Sequence, residues 1–597
     1  MNILQNILLA NLDIQSNEDL YVRCFDGAFL MRKEKRLVFK KHSIAKFDTF
    51  FNSFSILKWK TYTAVRNIKL RISGGGGLYL KINKNQIGVE TQTINEYHLD
   101  FTQTACIDIE FANLDEFVDG MLFFELIALS DDAYIDGGFF YTEQEPINQV
   151  KLVCVITHFN RKQYLLPTLA RLKNGLFDDT DYNQKIKLII VDNSQNIQPD
   201  EAQGAIVIPN QNYGGSGGFM RGLLYAKDNN FTHCLFMDDD ASCELDSIKR
   251  AYALMQYSTS DKLAVGAILL EENFPWKTIE AGAKLIETAM SYQTNSIKGN
   301  FDARLVRDLL CLEQQNTHID YLGWWFLMFN IADIRHLSFP FYVRGDDALF
   351  PITNKLNLIT INGIHSYGET FSNKENPLTR YLGFRAVTAI YLMNKKANML
   401  AVMKKFSQWY IVNLFSYHYS SAKALSVSLH DVMLEKTKIF SEDLDGEKFR
   451  AKIKPLLNKE KLLPIQTDNI DIQYNFGYKS KLNRIFRFLT LNGLLLPNCF
   501  LKNQIVFQHK HYRATFREIF RYKKVIYIDE KNQTAFIAEH DKGKLFQGLL
   551  ELGKCLCLIY KEFNTAKQDF LAQKDYLTSE EFWRKAYNLN SQSRKDN

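Results

Sequence analysis

The sequence predicts a multidomain α/β protein in three parts: an N-terminal β-sandwich over residues 1–148, an α/β domain over 149–400 and a mostly helical C-terminal domain over 401–597. Three observations predict this fold class. Short alternating segments with glycine turns fill the first part, strands and helices alternate in the second, and helical periodicity dominates the third. The length of 597 residues agrees with several folded units, since a domain usually takes roughly 100 to 200 residues.

The N-terminal part alternates apolar and polar residues with a period of two. Residues 68–72 and 78–82 are such segments, and the glycines at 74–77 separate them. This order of strand, glycine turn and strand predicts an antiparallel β-sandwich or jelly roll. Modules of this kind more often bind or brace than catalyse.

The middle part alternates buried-type strands with a helix. The predicted elements span residues 152–157, 164–173, 186–192 and 235–237. In an open parallel sheet, ligands bind at the carboxyl ends of the strands. We therefore expect site residues directly after these strands, within 157–161, at Asp192 and within 238–240.

The C-terminal part has a helical period, for example over residues 385–403, while residues 524–537 alternate like a small hairpin. It also contains a basic segment, 479–524, with eleven Lys or Arg against one acid, Glu518, around the apolar run 485–500. A basic apolar segment is typical of proteins that work at an anionic bilayer. The alternative is a basic helix that packs on another domain or is merely solvated.

Composition and spacing exclude several classes of protein. We expect neither a transmembrane helix nor a signal peptide, because no stretch approaches the ~18 apolar residues of a span and no basic residue precedes the N-terminal apolar run. The nine scattered cysteines predict a reducing compartment without a disulfide framework. The net charge of +6 is mild, and without zinc spacing or an RRM-type motif we expect no nucleic-acid partner.

The sharpest local feature is the carboxylate triplet Asp238, Asp239 and Asp240, directly after an apolar strand. Three adjacent like charges repel, so a fold that gathers them usually supplies a cation. Hard oxygen ligands suit Mg²⁺ or Mn²⁺, which typically bridges a diphosphate. A solvated acidic turn is the alternative for an isolated triplet.

A glycine-rich segment, 210–219, leads into helix-like residues 220–226. Its glycines give backbone amides close access to a ligand, and the following helix N-terminus favours an anion. The spacing matches neither the Walker-type phosphate loop nor the dinucleotide fingerprint.

Two further motifs carry polar or aromatic groups suited to a site. Asp346 and Asp347 form a pair that could hold a general base for an incoming hydroxyl, although helix capping by Asp346 is equally compatible. His365 follows and could be a third metal ligand or a packed core histidine. Trp324 and Trp325 could face a sugar ring or form plain core.

Together these motifs resemble the inverting glycosyltransferases of family 2 with the GT-A, Rossmann-like fold, and within them the bacterial galactofuranosyltransferases that build galactans. Residues 47–54 also resemble the N-terminal β-sandwich signature of that family. The resemblance covers most of residues 20–400. The motifs that carry it, in chain order, are 157–161, Asp192 with Asn193, 212–219 with Arg221, 238–240, 323–325, 346–348 and His365.

The resemblance implies a divalent metal, Mn²⁺ or Mg²⁺, a UDP-galactofuranose donor and transfer to a growing glycan with inversion. Asp238, Asp240 and His365 would hold the metal, and Asp347 would be the catalytic base. Trp324, Trp325 and Asp346 would face the sugars. The nucleotide sugar would be bound by Thr157, Phe159, Arg161, Asp192, Asn212, Gly214, Gly215, Gly217, Gly218 and Asp239.

The resemblance and the basic segment together imply a cytoplasmic protein, peripheral at the inner face of the bacterial cytoplasmic membrane, with a lipid-linked acceptor. Two alternatives remain open at the level of sequence. One is a family 2 transferase with another donor, UDP-galactopyranose or dTDP-rhamnose, and the other is a non-catalytic carbohydrate-binding protein. The linkage, the product polysaccharide (capsule, O-antigen or another galactan), its length and homo-oligomerisation are also open.

Overall fold

A computed structural model describes residues 1–10, 14, 17–240, 242–286, 290–294, 301–314, 319–369, 375–464, 481–508, 516–529 and 533–589. The N-terminal part folds into two antiparallel sheets with the short helix α1 (Ile56–Tyr62). The strands are β1 (Asn2–Ile7), β2 (Arg23–Phe25), β3 (Phe29–Met31), β4 (Arg36–Val38), β5 (Ile44–Lys46), β6 (Phe54–Ser55), β7 (Asn67–Gly75), β8 (Gly77–Gln86), β9 (Val89–Asp100), β10 (Cys106–Asn113), β11 (Met121–Ala128) and β12 (Tyr134–Thr142).

The two sheets form the predicted sandwich. One has the order β10-β7-β12-β4-β3, with β1 pairing β12, and the other has the order β2-β5-β11-β8-β9, with β6 pairing β11. Ile68, Leu70 and Ile72 of β7 alternate inward and are fully buried or nearly so. The glycine turn between β7 and β8 is shorter than predicted, because both strands extend to Gly76, whose φ of +75° suits glycine.

The α/β part is built on one mixed sheet of order β15-β14-β13-β16-β22-β17-β23, in which β22 runs antiparallel to its neighbours. Smaller sheets have the orders β19-β18-β24 and β20-β21. The strands are β13 (Leu152–His158), β14 (Ile186–Asp192), β15 (Ile206–Pro209), β16 (His233–Asp238), β17 (Leu263–Gly266), β18 (Ile268–Glu271), β19 (Thr278–Glu280), β20 (Ala283–Ile286), β21 (Ser291–Thr294), β22 (Leu327–Asn330), β23 (Asn357–Ile359) and β24 (His365–Gly368).

The helices of this part are α2 (Lys162–Leu172), α3 (Gly214–Asp228), α4 (Leu245–Gln256), α5 (Val306–Glu313) and α6 (Asp346–Asn354). The central strands are buried on both faces. Along β13, Cys154 and Ile156 point into an apolar cluster shared with α2, α4 and the β-sandwich, whereas Val153 and Val155 point into a cluster shared with α3 and the C-terminal helices. The seven-stranded mixed sheet thus lies between the other two parts of the chain.

The C-terminal part contains α7 (Pro377–Leu392), α8 (Met399–Phe415), α9 (Tyr419–His430), α10 (Lys438–Ser441), α11 (Glu447–Leu457), α12 (Lys481–Leu489), α13 (Lys542–Leu577) and α14 (Glu580–Ala586). The helical period predicted over 385–403 is divided between two helices: the chain leaves α7 and restarts at α8, where the Asn398 side chain accepts a hydrogen bond from the Leu400 amide as an N-cap.

A small sheet interrupts these helices. Its strands are β25 (Leu463–Pro464), β26 (Lys502–Gln508), β27 (Tyr522–Asp529) and β28 (Thr534–Glu539), in the order β25-β28-β27-β26. The predicted hairpin over 524–537 is the antiparallel pair β27 and β28, and β26, which pairs parallel to β27, was not predicted. Within the described residues, no helix is both long enough and apolar enough to cross a bilayer.

Candidate active site

The carboxyl ends of three adjacent strands bring the first predicted site residues together. In the register of the sheet, Thr157 lies opposite Asp238, and His158 lies opposite Asp192. Side chains that are 34 or more positions apart along the chain therefore meet at one edge of the sheet. This is the edge at which ligands of open α/β sheets bind.

The carboxylate triplet is held from two sides. Asp239 is buried, and its Oδ2 lies 3.0 Å from His158 Nδ1 and accepts a hydrogen bond from the Phe159 amide at 3.3 Å. The Arg161 guanidinium lies 3.5 Å from Asp239 Oδ1 and also forms an ion pair with Asp240. Arg161 therefore carries a positive charge into this edge of the sheet.

The Asp192 carboxylate organises the loop after β14. Its Oδ1 accepts from the Ser194 amide and hydroxyl at 3.0 Å, and its Oδ2 accepts from the amides of Asn196 and Ile197 at 2.7 and 2.8 Å. Burial alone would raise the pKa of Asp192, but these hydrogen bonds lower it overall, so the side chain is ionised. Asp192 shapes the loop through four bonds within the chain.

The glycine-rich segment is already helical from Gly214, which differs from the predicted turn before residue 220. Helix α3 begins at Gly214, whose φ is +68° and whose amide donates to Asn212 Oδ1 at 3.0 Å. The glycines allow close packing: a Cβ on Gly218 would lie 2.2 Å from Thr157 Cγ2, and one on Gly217 would lie 2.3 Å from Tyr213 Cβ. By contrast, Gly215 faces the Asp346 carboxylate, 3.6 Å from such a Cβ.

Asp346 and Asp347 open helix α6, and the first is buried while the second is half-buried. Ser216 of α3 donates a hydrogen bond to Asp346 Oδ2 at 2.9 Å. Burial raises the pKa of Asp346 to about 6. Burial also raises the pKa of Asp347 far above its usual range, and the negative charges of Asp346, Glu280 and Asp238 raise it further.

Glu280 completes this group of acids and was not predicted. It lies at the end of β19, and burial raises its pKa to about 7. The Tyr321 hydroxyl lies 3.4 Å from Glu280 Oε2, while Oε1 is buried without a hydrogen-bond partner. An isolated acid in a short strand gives no local signal, so only the three-dimensional placement beside Asp347 identifies it.

The backbone before α6 is strained. Tyr342 and Arg344 have φ values of +73° and +68°, in the left-handed region that non-glycine residues rarely adopt. The Tyr342 carbonyl accepts from the Ser216 amide at 3.2 Å, and the Tyr342 hydroxyl accepts from the Asn212 side chain at 3.1 Å. Such strain, which costs of the order of 1–3 kcal/mol per residue, concentrates at functional sites. Here it fixes α6 against the start of α3.

The tryptophan pair lies partly in the core. Trp324 is 4% exposed and packs against Phe219, Phe236 and Phe350, and its indole N–H has no hydrogen-bond partner. Trp325 is less buried, and its ring lies over Gly323, where a Cβ would come within 2.0 Å of it. For Trp324 the packing agrees with the core interpretation that the sequence also allowed.

His365 lies where the β-sandwich meets the α/β part. Its ring packs against Phe51 and Tyr367, with centroid distances of 4.9 and 4.7 Å, and its Nδ1 lies 3.2 Å from Ser247 Oγ. Burial lowers the pKa of His365 to about 3, so the imidazole is neutral. Its Nε2 is buried and finds no hydrogen-bond partner among the residues that the structure describes. Phe51 belongs to the segment 47–54 whose likeness suggested the N-terminal domain.

The donors at this edge suit a dication. Each charge that raises the pKa of Asp347 is a carboxylate, and the neutral His365 imidazole presents an unsatisfied Nε2. Within the part of the chain that is described, however, Asp238, Asp240 and His365 are not a set whose ligand atoms all lie within 4.8 Å of one another. The carboxylates are the donor type that a hard metal takes, whereas His365 would have to approach them.

A separate cleft of about 1750 Å³ contains none of these residues. It lies at the opposite edge of the sheet, where β16 begins, and His233, Asp333 and Arg584 are among the residues that line it. This cavity is therefore separate from the predicted site residues at the carboxyl ends of the strands.

Comparisons with known proteins agree with the motifs. Residues 153–302 match the family Glycosyl transferase family 2. The chain is 23% identical over 433 residues to the galactofuranosyltransferase GlfT2 of Mycobacterium tuberculosis, and 22% identical over 430 residues to that of Mycolicibacterium smegmatis. Each match covers 67% of this chain, and 66% and 65% of the two relatives, just under two thirds of their length.

Solved structures share a distant likeness. A mannosyltransferase from Pyrobaculum calidifontis in complex with GDP-Man and Mn²⁺ is 10% identical with a TM-score of 0.30, covering 53% of this chain and 84% of that one. GalNAc-T7 with UDP, GalNAc and Mn²⁺ is 11% identical with a TM-score of 0.32, covering 45% and 52%. TM-scores this low carry no argument about the present chain.

The predicted fold class and family are confirmed. An α/β part lies beside an N-terminal β-sandwich and a mostly helical C-terminal part, as predicted. Residues 153–302 of the α/β part match glycosyltransferase family 2, and the chain is similar to two galactofuranosyltransferases, as the motifs also indicated.

Proposed function

We propose that this chain, with its family 2 domain, is an inverting, metal-dependent glycosyltransferase that transfers galactofuranose from UDP-galactofuranose to a growing glycan. The observation that carries the proposal is the convergence of Asp238, at the end of β16, with the carboxylates of Asp346 and Asp347 at the start of α6. A donor site at Asp238 and a proton acceptor at Asp347 would thus lie close together at this edge of the sheet. The likeness to the two mycobacterial enzymes supports the donor.

Asp238 and Asp240 would hold the dication, Mn²⁺ or Mg²⁺, through carboxylate oxygens, and His365 would offer its Nε2 as a third ligand. A bound dication would neutralise the charge that develops on the leaving diphosphate and favour ionised carboxylates around it. Arg161, paired with Asp240, adds a fixed positive charge beside the diphosphate.

The nucleotide would lie along the strand ends. Thr157, Phe159, Asp192 and Asp239 surround this edge of the sheet, and the exposed Phe159 ring offers a stacking face for a base. Asn212 and the glycines Gly214, Gly215, Gly217 and Gly218 set the start of α3, whose N-terminus favours the diphosphate.

Asp347 would accept the proton of the acceptor hydroxyl as that oxygen attacks the anomeric carbon. The attack comes from the face opposite UDP, so one displacement inverts the configuration and no enzyme nucleophile is needed. Asp346, fixed by Ser216, would hold sugar hydroxyls. Trp325 would present aromatic surface to the sugar rings, whereas Trp324 would support the site from the core.

The direct test is incubation of the purified chain with UDP-galactofuranose, Mn²⁺ or Mg²⁺ and a short galactan acceptor, with mass spectrometry of the products. We expect galactofuranosyl additions that require the metal. Parallel reactions with UDP-galactopyranose and dTDP-rhamnose test the donor. Addition from one of these, with none from UDP-galactofuranose, would overturn the assignment.

We further propose that the chain meets a lipid-linked acceptor at an anionic membrane surface through α12, as a cytoplasmic protein at the inner face of the membrane. The apolar side chains on α12 are unusually exposed, with Phe488 at 81% and Leu489 at 66%. Burial lowers the pKa of Arg487, and the positive charges of Arg517 and Arg484 lower it further. Three guanidinium groups therefore lie close enough to repel one another. Anionic headgroups would relieve this repulsion. Lys479, Lys510 and Arg513 of the basic segment lie outside the described residues.

Liposome flotation tests this partner. We expect the chain to float with vesicles that contain an anionic phospholipid, and the double variant Phe488→Ser, Leu489→Ser to lose flotation. Val118→Ser is the matched control, because Val118 is 80% exposed but lies in the β-sandwich. Equal flotation of the double variant and the control would remove α12 from the membrane surface.

A further inference from the structure

A second group of metal-ligating side chains lies in the C-terminal part, outside the carboxylate cluster. One ligand atom each of His430, Glu551 and Cys555 lies within 4.8 Å of the others, and this is the group of three such residues found among the described residues. His430 is the last residue of α9, and Glu551 and Cys555 are one turn apart on α13. Positions i and i+4 share a helix face, so two packed helices build the group.

The chemistry of the group favours metal binding over a reactive thiol. Imidazole, carboxylate and thiol are the three ligand types that zinc takes, at about 2.0–2.3 Å. Reactive cysteines are usually partly exposed, whereas Cys555 faces the interior of the helix pair. Cys555 is fully buried, so its thiol reaches the other two ligands rather than solvent.

The charged side chains around this group are either paired with other residues or compete with a metal for Glu551. Asp431, next to His430, accepts from Tyr381 and pairs with Lys452 at 2.7 Å, so it does not supply a fourth ligand. Lys423, from α9, pairs with Glu551 Oε1 at 2.9 Å, and Lys554 also lowers the pKa of Glu551. A metal would therefore use the other Glu551 oxygen or displace the Lys423 ammonium.

We propose that His430, Glu551 and Cys555 form a binding site for a transition-metal dication of the zinc type. The bound metal would link α9 to α13. Binding displaces the Cys555 proton to solvent, forms the metal–sulfur bond and leaves the fourth tetrahedral position to water. Metal bound here lowers the freedom of two helices at once, so it should stabilise the folded chain.

The test adds Co²⁺ to the metal-free full-length chain and records the thiolate-to-cobalt charge-transfer band in the near ultraviolet. Co²⁺ at the Asp238 cluster gives no such band, because that cluster has no thiol. We expect a band that saturates at one equivalent and is bleached by Zn²⁺. Cys555→Ser should lose it, and the control Cys557→Ser, an exposed cysteine two positions along α13, should keep it. No band in the wild type, or a band that survives in Cys555→Ser, would overturn the site.

Two further variants keep the test independent of any folding defect in Cys555→Ser. His430→Gln should weaken Co²⁺ binding by at least about tenfold, since losing a residue that merely orients a ligand already costs roughly 10- to 100-fold. Lys423→Met should strengthen binding, because it removes the competing ammonium. Zn²⁺ should raise the Tm of the wild type but not of His430→Gln. An equal rise in both would place the zinc elsewhere.

Discussion

Asp347 is the residue whose surroundings bear most directly on catalysis. Its carboxylate is half-buried near Asp346 and Glu280, and the negative charges of these acids raise its pKa. We expect Asp347→Asn to keep the fold and UDP binding but to lower transfer by about 10²- to 10⁴-fold, the usual contribution of a positioned base. Steady-state transfer and calorimetric UDP affinity measure the two effects.

The exposed Asp181→Asn serves as the control for this charge change. Transfer near the wild-type rate in Asp347→Asn would remove the proposed role. Lost UDP affinity with the fold intact would instead assign Asp347 to the donor side.

Asp240 belongs to the proposed metal and donor side of the site, whereas Asp347 belongs to the acceptor side. It shares the Arg161 guanidinium with Asp239, and it is the more exposed of the two acids. Asp240→Asn should abolish the metal-dependent part of UDP binding, because it removes one of the two carboxylates proposed to hold the metal. The metal-independent part should remain, because the other residues proposed to bind UDP are unchanged. Calorimetry of UDP with and without Mn²⁺ separates these parts, and an unchanged metal dependence would exclude Asp240 as a ligand.

Single residues divide into those that sequence could identify and those that it could not. Asp192 and Asp238 follow apolar strands, and strand ends in a parallel sheet meet, so local pattern was sufficient. Ser216 and Glu280 reach Asp346 and Asp347 only through the fold. Nothing within a few residues of Glu280 marks it. Ser216 lies in the glycine-rich segment, but no local pattern pairs it with Asp346, which is 130 positions away.

At the scale of elements, helix α3 depends on glycine at its first turns. A Cβ on Gly218 would lie 2.2 Å from Thr157 Cγ2 and 2.9 Å from Thr157 Cβ, so Gly218→Ala must push α3 away from β13. Overpacking of this kind typically costs about 1–3 kcal/mol. We expect the free energy of unfolding, measured by denaturant titration, to fall by that amount, together with a loss of UDP affinity because α3 begins at the proposed donor site.

Gly553 provides the matched comparison for that substitution. It also lies inside a helix, α13, but an added Cβ there meets nothing within 4 Å. Gly553→Ala should raise the free energy of unfolding by roughly 0.5–1 kcal/mol, as expected for glycine in an open helix interior. If both variants behaved alike, the contact with Thr157 would not determine the effect.

The elements also show where a sequence pattern is insufficient. Glycine is a poor helix former, so the sequence predicted a turn over 214–218, whereas contacts with Tyr342 and Thr157 hold these residues in α3. The break between α7 and α8 was missed because apolar periodicity continues across it. β26 was missed because its parallel partner, β27, follows only after residues 509–515.

At the scale of the whole molecule, the β-sandwich is joined to the α/β part by buried polar contacts. Ser55 donates to Glu313 Oε1 at 2.6 Å, and the Leu57 amide donates to the same oxygen at 3.1 Å. Tyr21 donates to Glu244 Oε1 at 2.5 Å. Since His365 also packs on Phe51, the N-terminal part is coupled to the proposed metal side of the site.

Glu313 makes this junction sensitive to pH. Burial raises its pKa from 4.5 to about 7, although the bonds from Ser55 and the charge of Lys58 oppose the rise. Between these two values the folded chain holds a proton that the unfolded chain has lost, so rising pH removes stability.

Glu313→Gln keeps an oxygen for Ser55 but has no proton to lose. From about pH 4.5 to above pH 7, the variant should therefore gain stability relative to the wild type by up to roughly 3 kcal/mol. Urea titrations across this range measure the difference. With the exposed Glu116→Gln as control, a difference that stays constant with pH would show that Glu313 is ionised in the folded junction.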